Sequence, residues 1–156
     1  MHGIKQKVPK YENTLLKAFD SELIARLRLT PVVFKTGQMI EEPGRPIRNL
    51  YFLDSGMASM TTMFLGGTEV EVGMFGYESV IGVSALMGTV QSLNHVYTQI
   101  AGTGFRCSYE DALKEFGRFG LFHKLCLRYV QAHYSHPSLR VALQRINMNR
   151  DSRAGS

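Results

Sequence analysis

Residues 49–87 read NLYFLDSGMASMTTMFLGGTEVEVGMFGYESVIGVSALM, and this stretch decides the fold. Leu50, Tyr51, Phe52 and Leu53 form a short apolar run that ends at the turn signal Asp54-Ser55-Gly56. After Met63-Phe64-Leu65 comes Gly66-Gly67, a dipeptide that accepts the positive φ angles of a tight hairpin. Beyond it Glu69 and Glu71 alternate with Val70 and Val72, the period-2 signature of a half-buried antiparallel strand. Gly73 and Gly76 then lead into Glu78–Met87, which reads as a short helix whose start packs on the sheet.

Working outward toward the N-terminus, Leu15, Leu16, Phe19, Leu23, Ile24 and Leu27 recur at helical spacing. They predict two short helices near 12–18 and 21–28, the second capped at Asp20 or Ser21 and stopped by Thr30-Pro31. Val32-Val33-Phe34 and Met39-Ile40-Glu41 read as strands, separated and followed by turns at 35–38 and 42–46. Downstream, 95–100 alternates in polarity as a strand, Ala101–Gly104 reads as a turn, and Phe105-Arg106-Cys107 opens another strand. Ser108-Tyr109-Glu110-Asp111 is an S-x-x-D capping box that starts a helix running to about Phe116. Gly117 and Gly120 break the pattern, and 121–134 places Leu121, Phe122, Leu125, Tyr129 and Val130 on one face, extended by Cys126 and Ala132. Many short strands between Gly and Pro turns, with helices at both ends, predict a mainly β sandwich or barrel of α+β class.

Composition narrows the function classes. A chain of 156 residues, 44% of them hydrophobic, can fill one core. No apolar run approaches the roughly 18–20 residues of a membrane span, and the N-terminus lacks the apolar centre of a signal peptide, so the expected compartment is the cytoplasm. Of the net charge of +5, +3 falls beyond residue 137, where Arg140, Arg145, Arg150 and Arg153 face only Asp151. Such a tail attracts phosphate in a salt-sensitive way but reads no sequence. Cys107 and Cys126 are isolated and read as core residues. His123 with Cys126, and His133 with His136, are i, i+3 pairs too small for a metal site, and no cofactor is expected. A nucleophile or an acid–base pair is not in evidence, so an enzyme is not the expected reading.

In order, Gly37-Gln38 with Ile40, Glu42-Pro43-Gly44, Tyr51-Phe52, Ser55-Gly56, Gly73-Met74-Phe75-Gly76-Tyr77-Glu78, Ile81-Gly82 and Phe105-Arg106 before Ser108 form a set of motifs. Over about 11–135 this set resembles the sensor domain of Crp/Fnr-type transcription regulators, the cyclic nucleotide-binding-like fold. The resemblance implies an antiparallel β-roll or jelly roll with flanking N- and C-terminal helices. It also implies that 121–134 begins a dimerisation helix, with Leu121, Leu125 and Tyr129 at a homodimer seam. The expected organisation is a flexible N-terminus at 1–10, the sensor domain at 11–136 and a basic tail at 137–156, disordered or frameshifted. The tail is too short for the helix-turn-helix domain that such regulators carry, so this chain alone is not expected to bind DNA sequence-specifically. One set of allowed codons for Met148 to Ser156, read from the G of the methionine codon, gives Glu-Ser-Arg-Leu-Ala-Arg-Trp-Leu, similar to the run that enters that domain.

In members that bind cyclic AMP or GMP, a glutamate after the Ile-Gly turn holds the ribose and an arginine downstream pairs with the phosphate. Here Val83 follows Gly82, and Gln91–His95 contains neither Arg nor Lys. The resemblance therefore places an unidentified small-molecule effector among Gly82, Val83, Ser84, Leu93 and Asn94, with only backbone amides and Ser84 left to meet an anion. A stand-alone ligand-binding or interaction module of the same fold is the alternative. A cupin-like metalloenzyme is the enzymatic rival, but His95 is the only histidine expected on a strand.

Overall fold

A computed structural model of the protein describes residues 10–134. The tail expected at 137–156, Pro137, His136 and nearly all of the 1–10 segment lie outside these residues.

Eight strands form two four-stranded sheets, and every pairing within them is antiparallel. In chain order the strands are β1 (Thr30–Phe34), β2 (Met39–Glu41), β3 (Asn49–Leu53), β4 (Met57–Met63), β5 (Glu69–Phe75), β6 (Val80–Ile81), β7 (His95–Ile100) and β8 (Gly102–Ser108). One sheet runs β1-β8-β3-β6 and the other β2-β7-β4-β5. Helices α1 (Thr14–Ala18), α2 (Ser21–Leu27), α3 (Tyr109–Phe116) and α4 (Leu121–Tyr134) bracket the roll.

The apolar run in β3 explains the layering. Leu50 and Phe52 point toward the helices and join Leu16, Leu27, Phe122 and Cys126 in one core. Leu53 and half-buried Tyr51 point the other way and join Phe34, Phe75, Ile81 and Val96 between the sheets. Alternate side chains of one strand thus feed two cores, which is why the run is apolar throughout rather than alternating. The Glu69–Val72 alternation behaves as its period requires: both glutamates are exposed and Val72 is buried.

Helices as short as α1 and α2 are marginal alone and depend on caps and packing. Asp20 caps α2 by accepting from the Leu23 amide at 2.8 Å. Asn13 does more for α1. Its Oδ1 accepts from the amides of Leu15 and Leu16, while its Nδ2 donates to the carbonyls of Leu53 and Ser79 at 2.8 and 2.9 Å. One fully buried amide side chain thereby ties the first helix to β3 and to the turn before β6.

Four local expectations are corrected. The segment 78–87 is not one helix: Val80-Ile81 pairs with β3, Gly82 turns at φ +97°, and Val83–Met87 makes a 3₁₀ helix. Gly102 and Gly104 lie inside β8 rather than in a turn, because side chains there would collide with β3 and the turn after it. A Cβ on Gly104 would stand 2.3 Å from the Phe52 carbonyl oxygen. The second helix ends where expected, but at the left-handed Arg28 rather than through Thr30-Pro31, which instead open edge strand β1, where the missing N–H of proline is tolerated. Finally Ala132 is exposed and does not extend the buried face of α4.

The Ser108 box is half realised as expected. Its hydroxyl accepts from the Asp111 amide at 3.1 Å, but the Asp111 carboxylate takes a two-pronged ion pair from Arg28 at 2.7 and 3.1 Å. Arg26 reaches Glu115 at 2.7 Å in parallel, so two ion pairs clamp α2 to α3. The Arg28 guanidinium holds the Asp111 carboxyl below the usual carboxylate range.

Candidate functional site

Between the β2-β7-β4-β5 sheet, the 3₁₀ segment and α4 lies a cavity of about 440 Å³. Its inner wall comes from residues alternating along the sheet: Met60 and Thr62 of β4, Val72 and Phe75 of β5, and Val96 of β7. Gly82, Val83 and Ser84 form one side and Leu93 and Asn94 the rim, so the five residues expected at the site surround a single space. Gly82 is required by its surroundings, since its φ is +97° and a Cβ would come within 2.8 Å of the Asn49 carbonyl.

Among the lining residues not expected there, three carry polar or titratable groups from distant elements. Glu41 enters from β2, Tyr129 and His133 from α4. Pairing of β2 with β7 brings Glu41 opposite Val96, and that register carries its carboxyl over to Gly82 and Ser92. Ser92 Oγ donates to Glu41 Oε2 at 2.8 Å, and burial pushes the Glu41 carboxyl above its ordinary range, offset by that hydrogen bond. The same hydroxyl lies 2.9 Å from the Asn94 carbonyl, so its one proton is shared between two acceptors. Among the described residues, no Arg or Lys lines the cavity and no ion pair reaches Glu41. Arg45 and Arg48 sit in a separate cleft beyond Glu41 and Ser92, where Arg45 pairs with Glu42 at 2.9 Å.

The α4 residues form an aromatic wall. His133 stacks on Phe75 and Tyr129 with centroids 5.5 and 5.7 Å apart. The Tyr129 hydroxyl is buried beside Ser79 and the Val80 backbone without completing a hydrogen bond of ordinary geometry, and burial pushes it up to about 12. Of the three residues expected at a dimer seam, Leu125 and Tyr129 are half-buried against the chain's own core and Leu121 is exposed. Leu127, on the same helix, is exposed as well.

The metal-ligand candidates are not brought together. Cys126 is buried in the helical core, while His123 lies against the rings of Phe116 and Phe119 with Nδ1 at 3.1 Å from the Phe116 carbonyl. His95 lies across β7 from Val96, faces Glu69 at 3.4 Å and does not line the cavity. Among the described residues no group of three or more His, Cys, Asp or Glu converges, and no helix is long and apolar enough to cross a membrane. Both cysteine thiols are pushed up to about 12, chiefly by burial.

The overall fold recurs in solved structures. The sensor domain of the transcriptional regulator DNR from Pseudomonas aeruginosa superposes with a TM-score of 0.55 at 15% identity, covering 91% of this chain and 86% of that one. The fold is the antiparallel jelly roll of cyclic nucleotide-binding-domain-like structures. The catabolite activator protein of Thermus thermophilus matches this fold with a TM-score of 0.65 at 20% identity, over 87% of this chain and 62% of its own. A regulatory subunit of a cAMP-independent protein kinase A from Trypanosoma cruzi, bound to guanosine, matches with a TM-score of 0.67 at 14% identity, over 88% and 47%. The chain thus spans about half the length of that kinase subunit and 62% of the activator protein. No family model matches the sequence, and no curated protein is similar to it in sequence.

Proposed function

We propose that the chain is a regulatory sensor domain of Crp/Fnr type whose cavity does not take cyclic AMP in the usual way. The observation that carries this reading is the charge of the cavity wall: one half-buried carboxyl, Glu41, and no arginine or lysine among the described residues. A buried phosphate needs a fixed cation, and without one the desolvation of the anion costs several kcal/mol, on the order of the whole affinity of a millimolar ligand. Val83, in place of an acid, removes the ribose anchor as well. The guanosine-bound kinase subunit supports the idea that this fold accommodates a ligand without phosphate.

The domain's output runs through α4, which contributes Tyr129, Val130 and His133 to the cavity wall, so an occupant touches the helix directly. Self-association uses the stripe of that helix that carries exposed Leu121 and half-buried Leu125, with Tyr129 committed inward. The chain works in the cytoplasm and catalyses no reaction. Calorimetry tests the central claim: cyclic AMP and cyclic GMP bind no better than millimolar, and a micromolar dissociation constant for either overturns it.

A further inference from the structure

We propose that the cavity binds an organic cation, an ammonium group on a compact apolar body, with the ammonium seated on Glu41. The proposal deepens the sensor reading and rests on it. Its volume of about 440 Å³ is that of a small-molecule site. Most of the wall, including Met60, Val72, Phe75 and Val96, offers only apolar surface to the body of a ligand. What orients the ligand must therefore be the few polar groups.

Glu41 dominates these. Its Oε2 has the Ser92 hydroxyl, a donor whose single proton is also within reach of the Asn94 carbonyl. Its Oε1 takes no hydrogen bond from the described residues, and it lies beside Gly82, 3.6 Å from where a Cβ would stand. A carboxylate oxygen with no partner among the described residues thus belongs to a residue of the cavity wall. A carboxylate or phosphate brought there would face a like charge with no cation to offset it. An uncharged ligand would leave the carboxylate desolvated and poorly paired. An ammonium supplies the missing charge and three donors, enough for Oε1 and a neighbouring oxygen together. The Phe75 and His133 rings, stacked on each other along the same wall, add surface against which the apolar body can pack.

The test holds the body constant and varies the charge. Phenethylamine, phenethyl alcohol and phenylacetate are titrated into the full chain by calorimetry at neutral pH. The amine is expected to bind at least tenfold more tightly than the alcohol, with phenylacetate weakest. Glu41→Gln should bring the amine down to the level of the alcohol. An amine that binds no better than the alcohol, an advantage that survives Glu41→Gln, or no binding of any of the three at millimolar concentration overturns the proposal. The ratio of amine to alcohol in the unmodified chain decides by itself should the variant fold poorly. Alcohol and amine binding equally, with cyclic nucleotides silent, would remove the cation and leave the sensor reading standing; micromolar cyclic AMP would instead overturn the reading that the cavity does not take cyclic AMP, on which this proposal rests.

Discussion

Asp111 and Glu115, two buried acids at the helical end of the roll, each face a guanidinium, whereas Glu41 at the cavity end has, among the described residues, only a serine hydroxyl as hydrogen-bond partner. The same contrast holds for neutral groups. Asn13 has its side-chain oxygen and nitrogen fully engaged, while the buried Tyr129 hydroxyl completes no bond. Matched polar groups make the helical end a rigid platform. Unmatched ones at the cavity end are costs that an isolated domain would have no reason to carry, and they sit where a ligand can reach or nearly reach. The comparison therefore separates the part of the chain that holds the fold from the part that receives something.

The largest effect that would sharpen it comes from Asn13→Ala. That substitution removes the cap of α1 and strips the donor from two buried carbonyls at once. A loss of about 3 kcal/mol follows, a large share of the stability of a domain this size. Urea denaturation should show the midpoint falling sharply, while any ligand affinity measured well below that midpoint stays unchanged. A loss under about 1 kcal/mol would mean that α1 is not held from the platform.

Neither end was equally readable from sequence. The hairpin at Gly66-Gly67, the alternation from Glu69 to Val72 and the caps at Asp20 and Ser108 were legible because each is local: its signal lies within four or five residues. The lining set at Gly82–Ser84 and Leu93–Asn94 was legible only through resemblance. Asn13 was not, since its partners lie 40 and 66 residues away and an asparagine before a helix looks like an ordinary cap. Glu41 escaped for a related reason: β2 carries it next to Gly82 only after pairing with β7. Gly102 and Gly104 looked like turn glycines because composition does not distinguish a residue that bends the chain from one that lets two strands approach. Tyr129 fell on the correct helix face, but a helical period does not say which body that face will meet.

A middling effect comes from Glu41→Gln. Burial raises the Glu41 carboxyl in the folded chain, so the folded state holds this proton more tightly than the unfolded one. The group then favours folding below its unfolded value, and that contribution is lost as pH rises through the folded value. Glutamine has no such loss. At pH 7 the variant should be more stable on the order of 1 kcal/mol, a few degrees in Tm, with the gap closing toward pH 4. Denaturation at both pH values checks it. A variant less stable at pH 7 would mean that Glu41 is well paired in the empty domain and would erase half of the comparison.

The smallest effect belongs to Tyr129→Phe. The ring packs against the helical core and lines the cavity, and phenylalanine keeps both contacts. The hydroxyl is buried beside Ser79 and Val80, yet no hydrogen bond of ordinary geometry forms, so its removal forfeits little and relieves a desolvated group. Stability at pH 7 should change by no more than about 0.5 kcal/mol in either direction. The difference should open only in alkali. Between the ordinary tyrosine value of 10.0 and about 12 the unfolded chain ionises at this position while the folded chain resists, so the unmodified protein loses stability there that the variant keeps. Because the hydroxyl is closed off from the cavity, phenethylamine affinity should be the same in both proteins. A loss above about 1.5 kcal/mol at pH 7 would show that the hydroxyl bonds Ser79 or Val80 in solution, and would take Tyr129 out of the comparison, leaving the cavity side of it to Glu41.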